Sequence, residues 1–97
     1  MSDPTGTSSS VTVALSGDLD LASDAAVRRR LVEETSSGVV IADLADVGFM
    51  DSSGLRAMLE ARLALEHEGR ALAITNVPHQ VSRLLEIAGT SDLFERR

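Results

Sequence analysis

The stretch Val39-Val40-Ile41-Ala42-Asp43-Leu44-Ala45-Asp46-Val47-Gly48-Phe49-Met50-Asp51-Ser52-Ser53-Gly54-Leu55 runs from a continuous β-branched segment, through aspartates and a glycine, into the start of an amphipathic helical pattern. Val39 to Ala42 reads as a strand covered on both faces, which leaves through Asp43-Leu44 into Asp46-Val47-Gly48. Phe49-Met50 reads as a buried strand segment. From Gly54 to Glu68 the apolar residues Leu55, Met58, Leu59 and Leu63 keep helical spacing, Arg56/Glu60 and Arg62/Glu66 stand at i,i+4, and Gly69 closes the helix. A strand leading through a short turn into a helix is the building unit of an α/β sheet.

The same alternation extends outward in both directions. Val11 to Leu15 has strand period and stops at the turn signal Ser16-Gly17. A helix follows, capped by Asp20 or Ser23, with Val27 and Leu31 on its inner face and Arg28, Arg29, Arg30, Glu33 and Glu34 toward solvent. Ser36-Ser37-Gly38 ends it. Ala71 to Thr75 is a short strand, and Pro78 opens a helix with Val81, Leu84, Leu85 and Ala88 on one face and Gly89 at its end. Leu93-Phe94 is expected to fold back onto the core. Residues 1–10 are small and polar and read as a disordered tail, which leaves 11–97 as one domain. The predicted fold is a small α/β domain with a mainly parallel sheet and right-handed βα crossovers. Sites in such sheets lie beyond the carboxyl ends of the strands, where Gly17 to Asp20, Asp46 to Ser53 and Asn76 to Pro78 all fall.

A chain of 97 residues holds one modest core, so every element must share it. Phe49 and Phe94 are its only aromatic residues, which leaves no stacking platform for bases or sugars. The net charge of −6 argues against nucleic acid and anionic membrane, which attract concentrated Lys and Arg, and favours a basic protein partner. All 9 basic residues are Arg, so chemistry that needs an amine, including Schiff bases and a P-loop, is excluded. The absence of cysteine removes disulfides, thiolate catalysis and thiol-rich zinc sites. With neither a signal-peptide pattern nor an apolar run of roughly 18 to 20 residues, a cytoplasmic location is the expectation.

Ser52 and Ser53 stand where a helix begins. An ordinary N-cap explains such a pair, with Ser53 as the cap and Ser52 facing solvent, while a phosphate added there is expected to meet unpaired backbone N–H groups and the positive end of the helix dipole. It would also add roughly −1.5 to −2 charges beside Asp51 and Asp46. No Gly-x-Ser-x-Gly elbow surrounds either serine, so no hydrolase nucleophile is indicated. Asp43 at a strand end is placed like a receiver-domain phosphoacceptor, but that chemistry needs a lysine the chain lacks. His67 and His79 have no matching ligand cluster and read as surface or capping residues, and Arg28 to Arg30 as a solvated helix face. The chain is therefore expected to be no enzyme.

These residues together resemble the STAS domain, and within it the bacterial anti-sigma factor antagonists. The resemblance covers Val11 to Phe94 and rests on Gly17-Asp18-Leu19-Asp20, on Asp43-Leu44 followed by Val47 to Leu55, on Val81 to Gly89 and on Leu93-Phe94. It implies phosphorylation of Ser52, the first serine after the aspartate, by an anti-sigma factor that is itself an ATP-dependent serine kinase. The unphosphorylated form would bind that kinase and free a sigma factor, and a serine phosphatase would restore it. The implied partner-binding residues are Asp18, Asp20, Asp51, Ser52, Ser53, Gly54 and Leu55; no cofactor is implied, ATP and Mg belonging to the kinase. Relative to the family the chain looks minimal at both ends, which would leave sheet edges open to weak self-association. A second class fits the same resemblance: a structural STAS subunit of a lipid-transport complex or signalling scaffold, docking through the helix that begins near Ser53.

Overall fold

Burial alternates along the first two strands, and this one-sidedness fixes the architecture. The computed structural model describes residues 9–97. Its elements are β1 (Ser10–Leu19), α1 (Asp24–Arg28), β2 (Val39–Met50), α2 (Ser52–His67), β3 (Ala71–Thr75), α3 (His79–Ile87) and β4 (Glu95–Arg96). The strands form one parallel sheet in the order β1-β2-β3-β4. Val13 and Leu15 of β1, Val40, Ala42 and Leu44 of β2, and Leu72 and Ile74 of β3 point to one face, where Val27, Leu31, Met58, Leu65, Val81 and Leu85 from the helical segments cover them. Each crossover returns over that face, so the other lacks a helical layer: Thr12 and Ala14 are exposed there, and Val39 and Ile41 are half-buried. The β-branched run of β2 is therefore covered on one face rather than two.

Both long strands outrun the segments read from the sequence. β1 continues through Ser16-Gly17 to Leu19, with breaks of register between Ala14 and Ser16 and between Gly17 and Asp18. Gly17 takes φ +76°, a left-handed conformation that lets the strand shift register without leaving the ladder. What reads as a turn is thus a kink in a paired strand. The expected tail falls outside the described residues for 1–8, while Ser9 and Ser10 are already held: the Ser9 carbonyl accepts from Val39 N (3.1 Å), its hydroxyl accepts from Gly38 N (3.3 Å), and Ser10 opens β1.

The helices close as their glycines predict. After α2, Arg70 N donates to Leu65 O (2.9 Å) across Gly69 at φ +72°; after α3, Thr90 N donates to Leu85 O (2.8 Å) across Gly89 at φ +73°. α1 passes into one wide turn over Arg29–Glu33, closed by a bond from Glu34 N to Arg29 O. The buried stripe of α2 runs Leu55, Met58, Ala61, Leu65, so Leu63 is 52% exposed rather than part of the core. The Arg62–Glu66 pair forms at 3.1 Å; Arg56 and Glu60 make no ion pair among the described residues. Phe94 is buried as expected, but Leu93 is exposed, and the chain adds a short fourth strand beyond them.

At the amino ends of the strands, Arg70 ties three segments together. Its guanidinium donates to Ser37 O (2.7 Å), Thr35 Oγ1 (2.8 Å) and Glu68 Oε1 (2.8 Å), and Thr35 donates onward to Leu31 O (2.7 Å). This side chain is only 11% exposed, so removing it leaves half-buried acceptors unpaired. Arg70→Ala is expected to lower stability by about 2 kcal/mol in urea unfolding, against about 0.5 kcal/mol or less for Arg62→Ala, whose pair is a surface i,i+4 contact.

Candidate functional site

The carboxyl ends of β1 and β2 stop side by side, with Asp18 opposite Phe49 and Leu19 opposite Met50. Asp51 N extends this ladder by donating to Leu19 O (3.2 Å). The chain then turns at once into α2, and its first turn packs on the end of β1. A Cβ at Gly54 would collide with the carbonyl oxygen of Leu19 and lie 2.7 Å from its carbonyl carbon and 2.8 Å from its Cβ. Glycine is required at position 54 for space.

Asp51 is the cap of α2. Its backbone is extended (φ −112°, ψ −170°), and its Oδ1 accepts from Ser53 N (2.9 Å) and Gly54 N (3.1 Å), while its carbonyl accepts from Leu55 N (2.9 Å). The helix starts at Ser52, two residues before the expected Gly54, and Ser53 lies within the first turn as a recipient of the cap. An N-cap must have extended backbone and a free oxygen facing the next donors, and only Asp51 meets both conditions here. The expectation that a phosphate on Ser52 would find unpaired donors is corrected for two of them by the same bonds, since a carboxylate already holds Ser53 N and Gly54 N. Ser52 is exposed, and its hydroxyl makes no hydrogen bond among the described residues.

Beside it, the acidic turn is built on Asp20 and Ser23 together. Asp20 Oδ1 accepts from Ala22 N (3.0 Å) and Ser23 N (3.3 Å), and Ser23 Oγ accepts from Asp20 N (3.0 Å) and donates to Asp18 O (2.9 Å). Ser23 takes the cap position of α1 without a side-chain cap bond. Asp20 is thereby half-buried and engaged within its own turn, whereas Asp18 is exposed.

The fold thus gathers Asp18, Asp20, Asp51, Ser52 and Ser53 at one end of the sheet. Gly54 and Leu55 are buried, Leu55 at 6% exposure, so they position this surface and do not offer themselves to a partner. The third loop and the start of α3 bond to β2 and not to the acidic turn: Asn76, at φ +53°, donates to Asp43 Oδ1 (3.1 Å), and Gln80 Nε2 donates to Gly48 O (3.0 Å). Two exposed apolar residues flank the acidic turn: Leu21 at 72% exposure, and Phe49 at 49%, which corrects the reading of Phe49-Met50 as a buried segment. Phe49 follows the pleat, since Met50 takes the core-facing position. A leucine directly after Asp18-Leu19-Asp20, in a loop, was the available signal for Leu21. Among the described residues no cluster of His, Asp and Glu is disposed to hold a metal ion, and no histidine bonds to Ser52. What the geometry offers is an exposed hydroxyl, without a hydrogen bond among the described residues, in an acidic setting.

A one-sided parallel βα sheet whose Asp-Ser-Ser-Gly turn starts a helix defines a class. The chain belongs to the STAS domain family: the family model described as "Mlab, STAS domain" matches residues 3–95. It is 32% identical over 84 residues to an anti-sigma-B factor antagonist of Staphylococcus epidermidis, covering 84% of this chain and 78% of that one. It is 28% identical over 86 residues to the anti-sigma-B factor antagonist of Bacillus subtilis, covering 88% and 79%. Among solved structures it is similar to the anti-sigma factor antagonist SpoIIAA in its unphosphorylated form (TM-score 0.73, 21% identity, 91% of this chain and 79% of that one). It is similar also to a sulfate transporter family protein of Wolinella succinogenes (TM-score 0.75, 20% identity, 87% and 70%). At these identities the structural likenesses establish the fold alone. No helix among the described residues is long and apolar enough to cross a membrane.

Two substitutions test how the site is built. Gly54→Ala is expected to cost about 3 kcal/mol in thermal or urea unfolding, because the first turn of α2 must retreat from Leu19, while Gly48→Ala, with open space around it, changes stability by about 0.5 kcal/mol or less. Asp51→Ala is expected to cost about 1 kcal/mol and Ser53→Ala clearly less. The reverse order would return the cap to Ser53.

Proposed function

We propose that this chain is an anti-sigma factor antagonist switched by phosphorylation at Ser52. Unphosphorylated, it binds an anti-sigma factor that is itself a serine kinase, and so releases a sigma factor. Phosphorylated, it lets go, and a serine phosphatase resets it. ATP and Mg enter with the kinase, and no cofactor of this chain is needed. The observation that carries the reading is the exposed Ser52 hydroxyl at the start of α2, without a hydrogen bond among the described residues, next to Asp51 and at the same end of the sheet as Asp18. The relatives named as anti-sigma factor antagonists support it in the same sense. The contact surface in this reading is Asp18, Asp51, Ser52 and Ser53, with Asp20 shaping the turn and Gly54 and Leu55 holding it from beneath. A cytoplasmic setting goes with it. A structural role, in which α2 docks on a transport complex without modification, draws on the same fold but gives the free hydroxyl no task.

Charge is the proposed means of release. A unit-charge pair about 6 Å apart at an effective dielectric near 20 interacts by roughly 3 kcal/mol, enough for about a hundredfold change in affinity. Incubation with a kinase-type anti-sigma factor and ATP-Mg, followed by peptide mapping, is expected to place phosphate on Ser52 and to find none in Ser52→Ala. In calorimetry against the same partner, Ser52→Ala should bind and Ser52→Asp should bind more weakly, the gap narrowing at high salt because exposed charges are screened within about 8 to 10 Å. Phosphate on Ser53, or equal affinities of the two variants at low salt, would refute the switch.

A further inference from the structure

We propose that Arg56 is the internal counter-charge of phosphorylated Ser52: the guanidinium one turn along α2 pairs with the phosphate and is thereby withdrawn from any partner. The inference rests on the modification of Ser52 proposed above, and it names how that modification is held.

Among the described residues every main-chain donor of the first turn after Ser52 N is already committed. Ser53 N and Gly54 N donate to the Asp51 carboxylate, and Leu55 N donates to the Asp51 carbonyl. The backbone leaves a phosphate on Ser52 only the Ser52 N–H, a dipole and not a charge, so its counter-charge has to come from a side chain. The acidic side chains at this end are Asp51, next to Ser52 in the chain, Asp18 near the end of β1, and Asp20 in the turn that follows it.

The other arginines near this end have other positions or partners. Arg30 donates to Ala14 O (2.8 Å) and Arg62 is paired with Glu66. Arg28 lines a shallow hollow with Asp24 and Glu60, and Glu60 lies two turns along α2 from Ser52, about 12 Å down the axis. Arg56 is exposed and makes no ion pair or side-chain hydrogen bond among the described residues. It stands at i+4 from Ser52, which puts the two Cβ atoms about 5 to 6 Å apart on one face.

Two features of helix geometry favour the pair. Long side chains in a helix favour rotamers that lean toward its amino end, a preference that directs Arg56 to Ser52 over Glu60. An acid four residues before a base is also the stronger order of an i,i+4 pair, and phosphorylated Ser52 with Arg56 has that order, whereas Arg56 with Glu60 has the weaker one. The weaker order does not forbid contact, since Arg62 and Glu66 meet; for Arg56 it means that Glu60 is a poor competitor. A guanidinium can also give a phosphate two parallel N–H bonds, which an ammonium cannot.

The test installs phosphoserine at position 52 during synthesis of the full chain, so no kinase is involved, and follows the second phosphate ionisation by phosphorus NMR. An adjacent cation favours the dianion and lowers that pKa from its usual value near 6. Arg56→Gln in the phosphorylated chain is expected to raise it by about half a unit, and Arg56→Lys to restore most of the difference. Asp51, Asp18, Asp20, Asp46, Asp24, Arg28, Glu60 and His79 are common to all three proteins, so the comparison isolates position 56. The unphosphorylated Arg56→Gln chain should melt with its parent, which separates the pair from a structural role. A phosphate pKa unmoved by Arg56→Gln would overturn the proposal, whereas failure of a kinase to modify Ser52 would overturn the functional reading and leave this result standing.

Discussion

The first turn of α2 lies so close to the end of β1 that position 54 admits no side chain, and the working end of the molecule depends on that approach. The carbonyl of Leu19 accepts from Asp51 N on one side and meets the Gly54 backbone on the other. One peptide group thus joins the end of β1, the end of β2 and the start of α2. Any larger residue would push α2 outward and lift Leu55 and Met58 off the core they seal, at a cost of a few kcal/mol in a fold whose whole stability is of order 5 to 15 kcal/mol. The acidic turn and the serine share a surface because this contact leaves them no other arrangement.

Asp51 adds an electrostatic consequence to that steric one. By capping α2 with its carboxylate it places a negative charge where the helix dipole favours one, and it occupies the donors that make a helix start attractive to anions. A second anion on Ser52 therefore arrives at a place already neutralised. It would gain little from the backbone and be repelled by Asp51; in the proposed pair with Arg56, a docking partner would meet added negative charge and lose a cation. The exposed Leu21 and Phe49 at the same end give a docking partner apolar area to bury, which charge alone does not supply.

The parts of this arrangement that were legible in the sequence are those written in periodicity. β3 follows its apolar spacing, as do α2 and α3 apart from the exposed Leu63 and Ala88, and Gly69 and Gly89 stop their helices because each takes a positive φ that other residues resist. The misreadings share a cause: a local signal with two structural solutions. Ser16-Gly17 suits a turn, yet a left-handed glycine also kinks a paired strand, and the pairing of Asp18 with Phe49 and of Leu19 with Met50 decides for the strand. Val39 to Ala42 suits a strand covered on both faces, but in a sheet whose crossovers all return over one side, half of such a run lies on the open face. Asp51 and Ser53 both suit a cap, and the backbone conformation, invisible in composition, assigns it to Asp51.

That assignment separates folding from switching. If the Ser52 or Ser53 hydroxyl capped α2, phosphorylation would remove or reshape a bond worth about 1 kcal/mol and would alter the fold as well as the surface. With the cap on Asp51, the Ser52 hydroxyl carries no structural bond among the described residues. The Arg70 network that ties the loops together lies at the opposite end of the strands, beyond the reach of a charge screened within about 10 Å. A modified chain can therefore keep its core, its helix start and its loop anchors, and change only the charge it presents, which is what a reversible binding switch on so small a domain requires.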